Sequence, residues 1–184
     1  MEREIDDNKY RWFYTSSGVL VVGGKSADQN EEVVKLAKSE DILLHTEEPG
    51  SPFCVVVDEI EETGQDIKEA AIFCASLSQG WKKKKKEIVV SVFRKVQMKK
   101  AKSMKKGTFS VEGVEQKIKV EPKLYLDFQE GKLRCVPFET NIALITPGEM
   151  KKEQAAELIS KKLKIKIEEV LGALPPDKIN VKWL

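Results

Sequence analysis

Four residues, Gly23, Gly24, Lys25 and Ser26, stand between a predicted strand and a predicted helix, where phosphate-binding loops occur. The Walker pattern places four residues between its two glycines and a lysine after the second. Gly18 and Gly24 enclose five, so we do not expect a nucleoside triphosphate loop. Flexible glycines, the free N–H groups of a helix N-terminus and Lys25 still form a natural anion site. A plain turn from strand to helix remains the other interpretation.

The single histidine, His45, could act as a general base or, with Glu47, as a metal ligand. Glu47, Glu48 or Asp41 could orient it for catalysis, but no second histidine is available. A hydrogen-bonded histidine at a strand end and a phosphate contact are the alternatives. We expect no catalytic residue, no bound metal and no cofactor.

The three cysteines, Cys54, Cys74 and Cys135, lie far apart, each in an apolar run. This odd number without a CxxC pair argues against disulfides and structural zinc and favours buried thiols in a reducing cytoplasm. No run of eighteen apolar residues is present, and the polar, acidic N-terminus is unlike a signal peptide. We therefore expect a cytoplasmic protein without a membrane partner.

Positive charge is concentrated in one segment. Residues 81–106 contain 12 Lys and Arg against one Glu, whereas residues 1–80 contain 7 against 17 Asp and Glu. Such a basic patch is expected of a protein that binds nucleic acid or another anionic surface. If residues 88–98 form one strand, the lysines at its two ends lie about 35 Å apart, which suits a long polyanion. The candidate contacts in this segment are Lys82, Lys83, Arg94, Lys95, Lys99, Lys100, Lys102, Lys105 and Lys106.

Two tryptophans lie near basic residues: Trp12 follows Arg11, and Trp81 precedes the lysine run. Aromatic rings stack on bases in single-stranded nucleic-acid binders. In most small domains such rings belong to the core, so both interpretations stay open.

The hydrophobic pattern predicts strands and helices in mixed order. In the first half, Ser26 and Gln29 predict a capping box, Thr63 with Asp66 predicts a second helix start, and Gly80 a C-cap. Strands are predicted at residues 10–15, 19–22, 42–45, 53–58 and 88–98. Further short strands are predicted at residues 108–112, 117–121, 124–128, 133–138 and 179–184.

Thr146, Pro147 and Glu149 predict the N-terminus of a late helix, and a short helix follows near residues 167–171. The fold class is therefore α+β, with a mixed, largely antiparallel sheet, flanking helices and a C-terminal helix pair.

Several motifs together resemble the NFACT-R (NFACT RNA-binding) domain family. The most specific part runs from Trp12-Phe13 through Ser16-Ser17-Gly18 and the Leu20–Gly24 run to Asn30-Glu31. Further similar motifs are the run from Asp41 to His45 followed by Gly50-Ser51-Pro52, the helix ending at Trp81, and the strand leading to Lys99-Lys100, Met104 and Gly107-Thr108-Phe109. The family often has a second histidine where this chain has Pro49-Gly50.

The resemblance covers roughly residues 8–125 and implies an RNA-binding module of stand-alone, archaeal type. We expect residues 1–140 to form the NFACT-R-like domain. Residues 141–184 are then a C-terminal helical extension that ends in a strand and packs on the same body. If the resemblance marks function, Gly23, Gly24, Lys25, Asn30 and His45 form a second contact region beside the basic segment.

The expected function is non-enzymatic RNA binding, to tRNA or ribosomal RNA, in translation, ribosome quality control or tRNA modification. Expected protein partners are the ribosome or tRNA-modification proteins. Two alternatives remain: an RNA-modifying or hydrolytic enzyme using His45 with a nearby carboxylate, and a basic DNA- or protein-interaction module.

Overall fold

The computed structural model describes residue 6 and residues 8–57 and 64–184. The strands in these residues are β1 (Arg11–Tyr14), β2 (Leu20–Gly23), β3 (Ile42–Thr46), β4 (Cys54–Val56), β5 (Ile88–Arg94), β6 (Met98–Lys99), β7 (Ser110–Val111), β8 (Gln116–Val120), β9 (Leu124–Gln129), β10 (Lys132–Val136), β11 (Ala143–Met150) and β12 (Ile179–Trp183). The α-helices are α1 (Ala27–Leu36), α2 (Gly64–Ser76), α3 (Gln79–Lys82), α4 (Lys152–Leu163) and α5 (Ile167–Ala173). Asp58 and Thr63, which the sequence places at a strand end and a helix start, lie outside the described residues.

The first sheet has six antiparallel strands in the order β1-β2-β4-β3-β5-β8. Successive side chains on a strand point to opposite faces, so its apolar runs supply two buried faces. One face packs against α2 through Phe13, Val21, Leu44, Val56 and Val90. The other packs against α1 through Trp12, Val22, Leu43, Val55 and Phe93.

The second sheet has four antiparallel strands in the order β10-β9-β11-β12 and is accompanied by α4 and α5. Its buried side chains are continuous with those on the α2 face of the first sheet. The α+β class and the largely antiparallel pairing are therefore confirmed. Because β9 pairs with both β10 and β11, the strands on either side of residue 140 share a sheet. We therefore propose residues 121–123, between the sheets, as the division of the chain.

The single strand expected over residues 88–98 is wrong. β5 ends at Arg94, a 3-10 turn spans Lys95–Gln97, and β6 contains only two residues. The Arg94 side chain holds this corner, because its Nη1 donates to the Glu40 carbonyl at 2.7 Å and its Nε donates to Glu115 at 3.2 Å. A strand of seven residues spans about 23 Å, so the two lysine groups are not 35 Å apart along one strand.

The helix start expected at Thr146 is also wrong, because these residues belong to β11. Pro147 pairs with Ile179, and the register shifts between Pro147 and Met150. A Cβ on Gly148 would lie 2.2 Å from Asn180 Oδ1, so glycine permits the close approach of β12. The Pro-Gly pair therefore belongs to a bulge, where a missing N–H is tolerated, and α4 begins at Lys152 instead.

The prediction that Gly80 caps the C-terminus of a helix is wrong, because Gly80 lies within the short helix α3. α2 ends at Ser76, and Gly80 lies in α3, whose N-cap Ser78 accepts a hydrogen bond from the Gly80 N–H. A Cβ on Gly80 would lie 2.3 Å from Ile88 Cδ1, so packing against β5 explains the glycine.

The longest helix among the described residues has thirteen residues, and none of the helices there could cross a membrane.

Candidate nucleic-acid interface

The Gly23–Ser26 turn builds the N-terminus of α1. Ser26 Oγ accepts a hydrogen bond from the Gln29 N–H at 3.2 Å, and Gln29 Oε1 accepts one from the Lys25 N–H at 2.9 Å. A Cβ on Gly24 would lie 2.6 Å from Asn30 Oδ1, so the tight turn requires glycine there. The predicted helix start at Ser26 is confirmed, and the turn holds Lys25 beside the helix N-terminus.

A cavity of about 350 Å³, the α1 cavity, opens at this helix end. Its walls include Arg11, Gly24, Lys25, Ser26, Asn30 and Ser51. Arg11 Nη2 donates to the Leu174 carbonyl at 3.4 Å, and Arg11 Nε is buried without a hydrogen-bond partner in the described part of the chain. Burial lowers the pKa of Arg11. A partly buried guanidinium with an unpartnered Nε donor, beside a helix N-terminus, is suited to an anion.

A second cavity, of about 330 Å³, lies where the two sheets meet and is called the junction cavity. Its basic walls are Lys25, Lys132, Arg134 and Lys166, so Lys25 lines both cavities. The Arg134 guanidinium lies 4.5 Å from the centre of the Trp12 ring. Glu168 and Glu169 also line the junction cavity, so it combines basic and acidic groups, and Lys25 connects it to the α1 cavity.

Four cations influence one another here and are called the cationic cluster: Arg11, Lys25, Arg134 and Lys152. Burial, followed by the charges of Arg11 and Arg134, lowers the pKa of Lys25. Burial and then the charge of Arg11 lower the pKa of Lys152 to about 8. In the part of the chain that the structure describes, no carboxylate forms an ion pair with Arg11, Lys25 or Lys152. Asp6 and Glu153 offset part of this charge by acting on Lys25 and Lys152, but the cations remain the larger influence on both lysines. Such a group of like charges is suited to a polyanion.

The basic segment, residues 81–106, is largely ion-paired instead. Lys100 Nζ lies 2.7 Å from Glu31 and Lys106 Nζ lies 2.6 Å from Asp28, both on α1. The remaining pairs are Lys83 and Lys85 with Glu48, Lys84 with Glu149, Arg94 with Glu115, and Lys99 with Glu112. Acidic residues distant in the sequence therefore neutralise much of this charge. Among the described residues, five basic residues of the segment form no ion pair: Lys82, Lys86, Lys95, Lys102 and Lys105.

The Lys100 ion pair also builds structure. Lys100 Nζ donates to the Lys105 and Thr108 carbonyls at 2.7 and 2.8 Å, and Glu31 accepts the Gly107 N–H at 2.8 Å. The hydrogen bond from Lys100 lowers the pKa of Glu31. Lys95 likewise donates to the Val34 carbonyl. These contacts fix the loop that precedes Phe109 against α1.

A third cavity, of about 360 Å³, lies behind this loop and is called the aromatic cavity. His45 and Phe53 lie with ring centres 4.4 Å apart, and Phe109 meets Phe53 edge-on at 5.4 Å. Asn30 lies between this cavity and the α1 cavity and lines both. The three cavities therefore form a continuous series.

His45 lies in the wall of the aromatic cavity, and no carboxylate among the described residues bonds to it. Its Nδ1 lies 2.7 Å from the Thr46 carbonyl, and burial lowers the pKa of the ring. Glu47 instead pairs with Lys117 at 2.5 Å, and Asp41 accepts the Lys38 N–H at 2.7 Å. Among the described residues, no group of three His, Cys, Asp or Glu side chains could hold a metal ion. The structure therefore does not pair His45 with Glu47, Glu48 or Asp41, the carboxylates that could orient it for catalysis.

Both candidate tryptophans are core residues, which corrects the stacking interpretation. Trp12 and Trp81 are 3% and 1% exposed, so neither ring offers a face to a base. Trp81 Nε1 donates to the Lys178 carbonyl at 3.1 Å and links α3 to the second sheet.

All three cysteines are free and buried, as predicted, and burial raises the pKa of Cys135 to about 12.

Sequence reasoning missed most of this surface. Lys132, Arg134, Lys152 and Lys166 lie in a region of mixed charge without a basic run, and Phe53 and Phe109 looked like ordinary strand residues. One signal was available: Arg134 interrupts the apolar β10, where only 7% of it is exposed.

Comparisons with known proteins identify relatives that are similar to part of this chain. The archaeal Rqc2 homolog aRqcH of Methanocaldococcus jannaschii is 34% identical over 76 residues, which cover 40% of this chain and 11% of that protein. The ribosome quality control complex subunit NEMF homolog of Drosophila melanogaster is 34% identical over 79 residues, covering 40% and 8%. Ribosome quality control complex subunit 2 of Saccharomyces cerevisiae is 30% identical over 77 residues, covering 41% and 7%. The chain thus spans about a tenth or less of the length of these relatives.

A solved structure shows a likeness of fold. The C-terminal part of the fibronectin/fibrinogen-binding protein from Streptococcus suis gives a TM-score of 0.57 at 20% identity, over 66% of this chain and 48% of that one. Residues 9–113, more than half of the chain, match the family model described as the NFACT protein RNA binding domain. The chain therefore belongs to the NFACT protein RNA binding domain family.

Proposed function

We propose that this chain binds RNA without acting on it chemically, and that the cationic cluster is the centre of its RNA-binding surface. The observation that carries the proposal is the α1 cavity, where Arg11 and Lys25 lie beside the α1 N-terminus and no carboxylate among the described residues forms an ion pair with either. Lys152, at the start of α4, is near enough for the charges of Arg11 and Lys25 to lower its pKa. Lysine and arginine contacts to phosphates supply most of the affinity of non-specific RNA binding.

The ion-paired state of the basic segment favours this location. A lysine already paired with a carboxylate must give up that partner to contact a phosphate, which reduces its net contribution to RNA affinity by about 0 to 1 kcal/mol for an exposed pair. Lys82, Lys102 and Lys105, which have no such pair, extend the proposed surface. The structural role of Lys95, Lys100 and Lys106 is instead to hold the loop before Phe109 on α1.

The names of the relatives point to the biological setting. Because they are ribosome quality control factors, we propose that the RNA is tRNA or ribosomal RNA and that the chain works with the ribosome or with tRNA-modification proteins. A cytoplasmic location follows from this setting and is part of the same proposal.

Binding assays with three ligands test the proposal: a tRNA, a ribosomal RNA fragment and double-stranded DNA of equal length. The test variant is Arg11→Gln with Lys25→Gln, and the control is Lys161→Gln with Lys182→Gln, which removes the same charge from exposed sites in α4 and β12. We expect tighter binding to RNA than to DNA, and weaker binding only in the test variant. Equal affinity for DNA would favour the general basic module. RNA cleavage or modification that His45→Ala abolishes with binding intact would establish the enzyme.

A further inference from the structure

The aromatic cavity has the size and lining of a small-ligand site. Its volume of about 360 Å³ lies within the range of cavities that hold small molecules, about 300 to 1,000 Å³. Such cavities combine aromatic walls with a few polar groups that orient the ligand. Here the partly exposed rings are His45 and Phe109, which the buried Phe53 ring contacts, and the polar groups include the Asn30 amide and the Ser91 hydroxyl.

Its walls are held in place before any ligand binds. Phe53 is fixed between the His45 ring and the edges of Phe93 and Phe109. Lys100 Nζ lies 4.8 Å from the centre of the Phe109 ring, while the same ammonium group ties the loop to Glu31. The basic segment therefore shapes this cavity even where its charges are neutralised.

The Asn30 side chain is positioned to form a hydrogen bond with a polar group of a ligand in the cavity. Its Oδ1 accepts the Phe53 N–H at 3.2 Å, which orients the amide and leaves the Nδ2 group as a donor. In the described part of the chain, Nδ2 has no acceptor. Burial lowers the pKa of His45, so its ring is uncharged near pH 7. Glu47 and Lys117 also line the cavity and pair with each other at 2.5 Å, so the ring and the Asn30 amide are the neutral polar groups beside this ion pair. Uncharged rings and hydrogen-bonding groups together suit a nucleobase.

The adjoining α1 cavity supplies the second half of a nucleotide site. Asn30, Gly50 and Ser51 line both cavities, so a group in the aromatic cavity lies next to Arg11 and Lys25. Gly50 adopts a positive φ of 92°, and a Cβ there would lie 2.5 Å from Gln79 Cγ. Glycine is thus required where the two cavities meet.

We infer that the aromatic cavity binds one unstacked base of a single-stranded RNA segment, whose phosphate lies in the α1 cavity. This inference rests on the proposed RNA-binding function and names what its surface recognises. Double-stranded RNA keeps its bases stacked and paired, so only loops, bulges and ends could fill the site.

His45 makes a direct test possible, because it is the only histidine in 184 residues and its ring proton resonances are assigned without ambiguity. The intact chain is titrated with adenosine monophosphate, uridine monophosphate and ribose 5-phosphate, which has no base. We expect the monophosphate nucleotides to shift the His45 resonances and to bind about five-fold or more tightly than ribose 5-phosphate, as expected from one base stacking on aromatic rings.

Phe109→Ala should remove this advantage, whereas Phe128→Ala, which removes an exposed ring on β9, should leave it unchanged. The comparison of ligands with and without a base uses the unaltered protein, so it stands even if Phe109→Ala does not fold. Equal affinity for nucleotides and ribose 5-phosphate, in a protein that binds tRNA, would overturn the base site and leave RNA binding intact. Loss of binding to every RNA tested would instead overturn the proposed function.

Discussion

Replacing Lys152 by methionine should stabilise the folded protein, and the gain should disappear at high pH. Burial and the charge of Arg11 lower the pKa of Lys152 from 10.5 to about 8, so the folded state disfavours the charged ammonium. A difference of one in pKa corresponds to about 1.36 kcal/mol, which gives about 3.4 kcal/mol as an upper bound. Because the side chain is only partly buried, solvent screening reduces this to about 1 to 2 kcal/mol.

The sign follows from proton linkage. Between pH 8 and pH 10.5 the unfolded chain binds more protons at Lys152 than the folded chain, so wild-type stability rises through this window. Lys152→Met lacks this rise. We therefore expect the variant to be more stable than wild type by about 1 to 2 kcal/mol at neutral pH and equally stable near pH 10.5.

Urea denaturation followed by circular dichroism, over this pH range, measures the effect. Lys151→Met is the matched control, since it makes the same change one residue earlier, at an exposed position beside the same helix end. If both variants gained the same unfolding free energy at every pH, the proposed cost of the charged Lys152 would be wrong. Such a result would show a general preference for methionine rather than relief of repulsion in the cationic cluster.

Three further substitutions test the packing that positions the site. Gly24→Ala should cost about 1 to 3 kcal/mol of unfolding free energy, because the new Cβ would clash with Asn30; a neutral result in urea denaturation would contradict the tight turn. Lys100→Gln should speed hydrogen exchange at the Gly107 amide, through loss of the contacts that hold the loop, and unchanged exchange would argue against that role. Trp81→Phe should lower stability by about 1 kcal/mol through the lost bond to Lys178, measured against wild type by thermal unfolding; a neutral result would show that this bond contributes nothing.

The parts of the fold that follow from local pattern were predictable. Short apolar runs mark most strands of the first sheet, and the Ser26 hydroxyl caps α1 as its position indicated. The failures have a common physical cause, because in each a long-range contact overrides local chemistry. Pro147 resembles a helix N1 residue but occupies a bulge paired with β12, and Arg94 ends a strand because Glu40 and Glu115 hold its guanidinium.

The candidate site was predictable only in part for the same reason. The sequence identifies Arg11, Lys25, Asn30 and His45, which the fold brings to adjoining cavities. It could not show that acidic residues of α1 neutralise the basic segment, since ion pairing between Lys100 and Glu31 depends on the tertiary fold. Arg134 and Lys152 likewise become neighbours of Lys25 only when the second sheet packs beside the first.

The salt dependence of RNA affinity shows whether the cationic cluster contacts phosphates. Each phosphate contact contributes about 0.7 to 0.9 to the slope of log K against log salt concentration. We expect the slope for Arg11→Gln with Lys25→Gln to be shallower than the wild-type slope by about 1.4 to 1.8, because two such contacts are lost. Lys161→Gln with Lys182→Gln should keep the wild-type slope. An unchanged slope in a folded Arg11 and Lys25 variant would contradict the assignment of RNA binding to the cationic cluster.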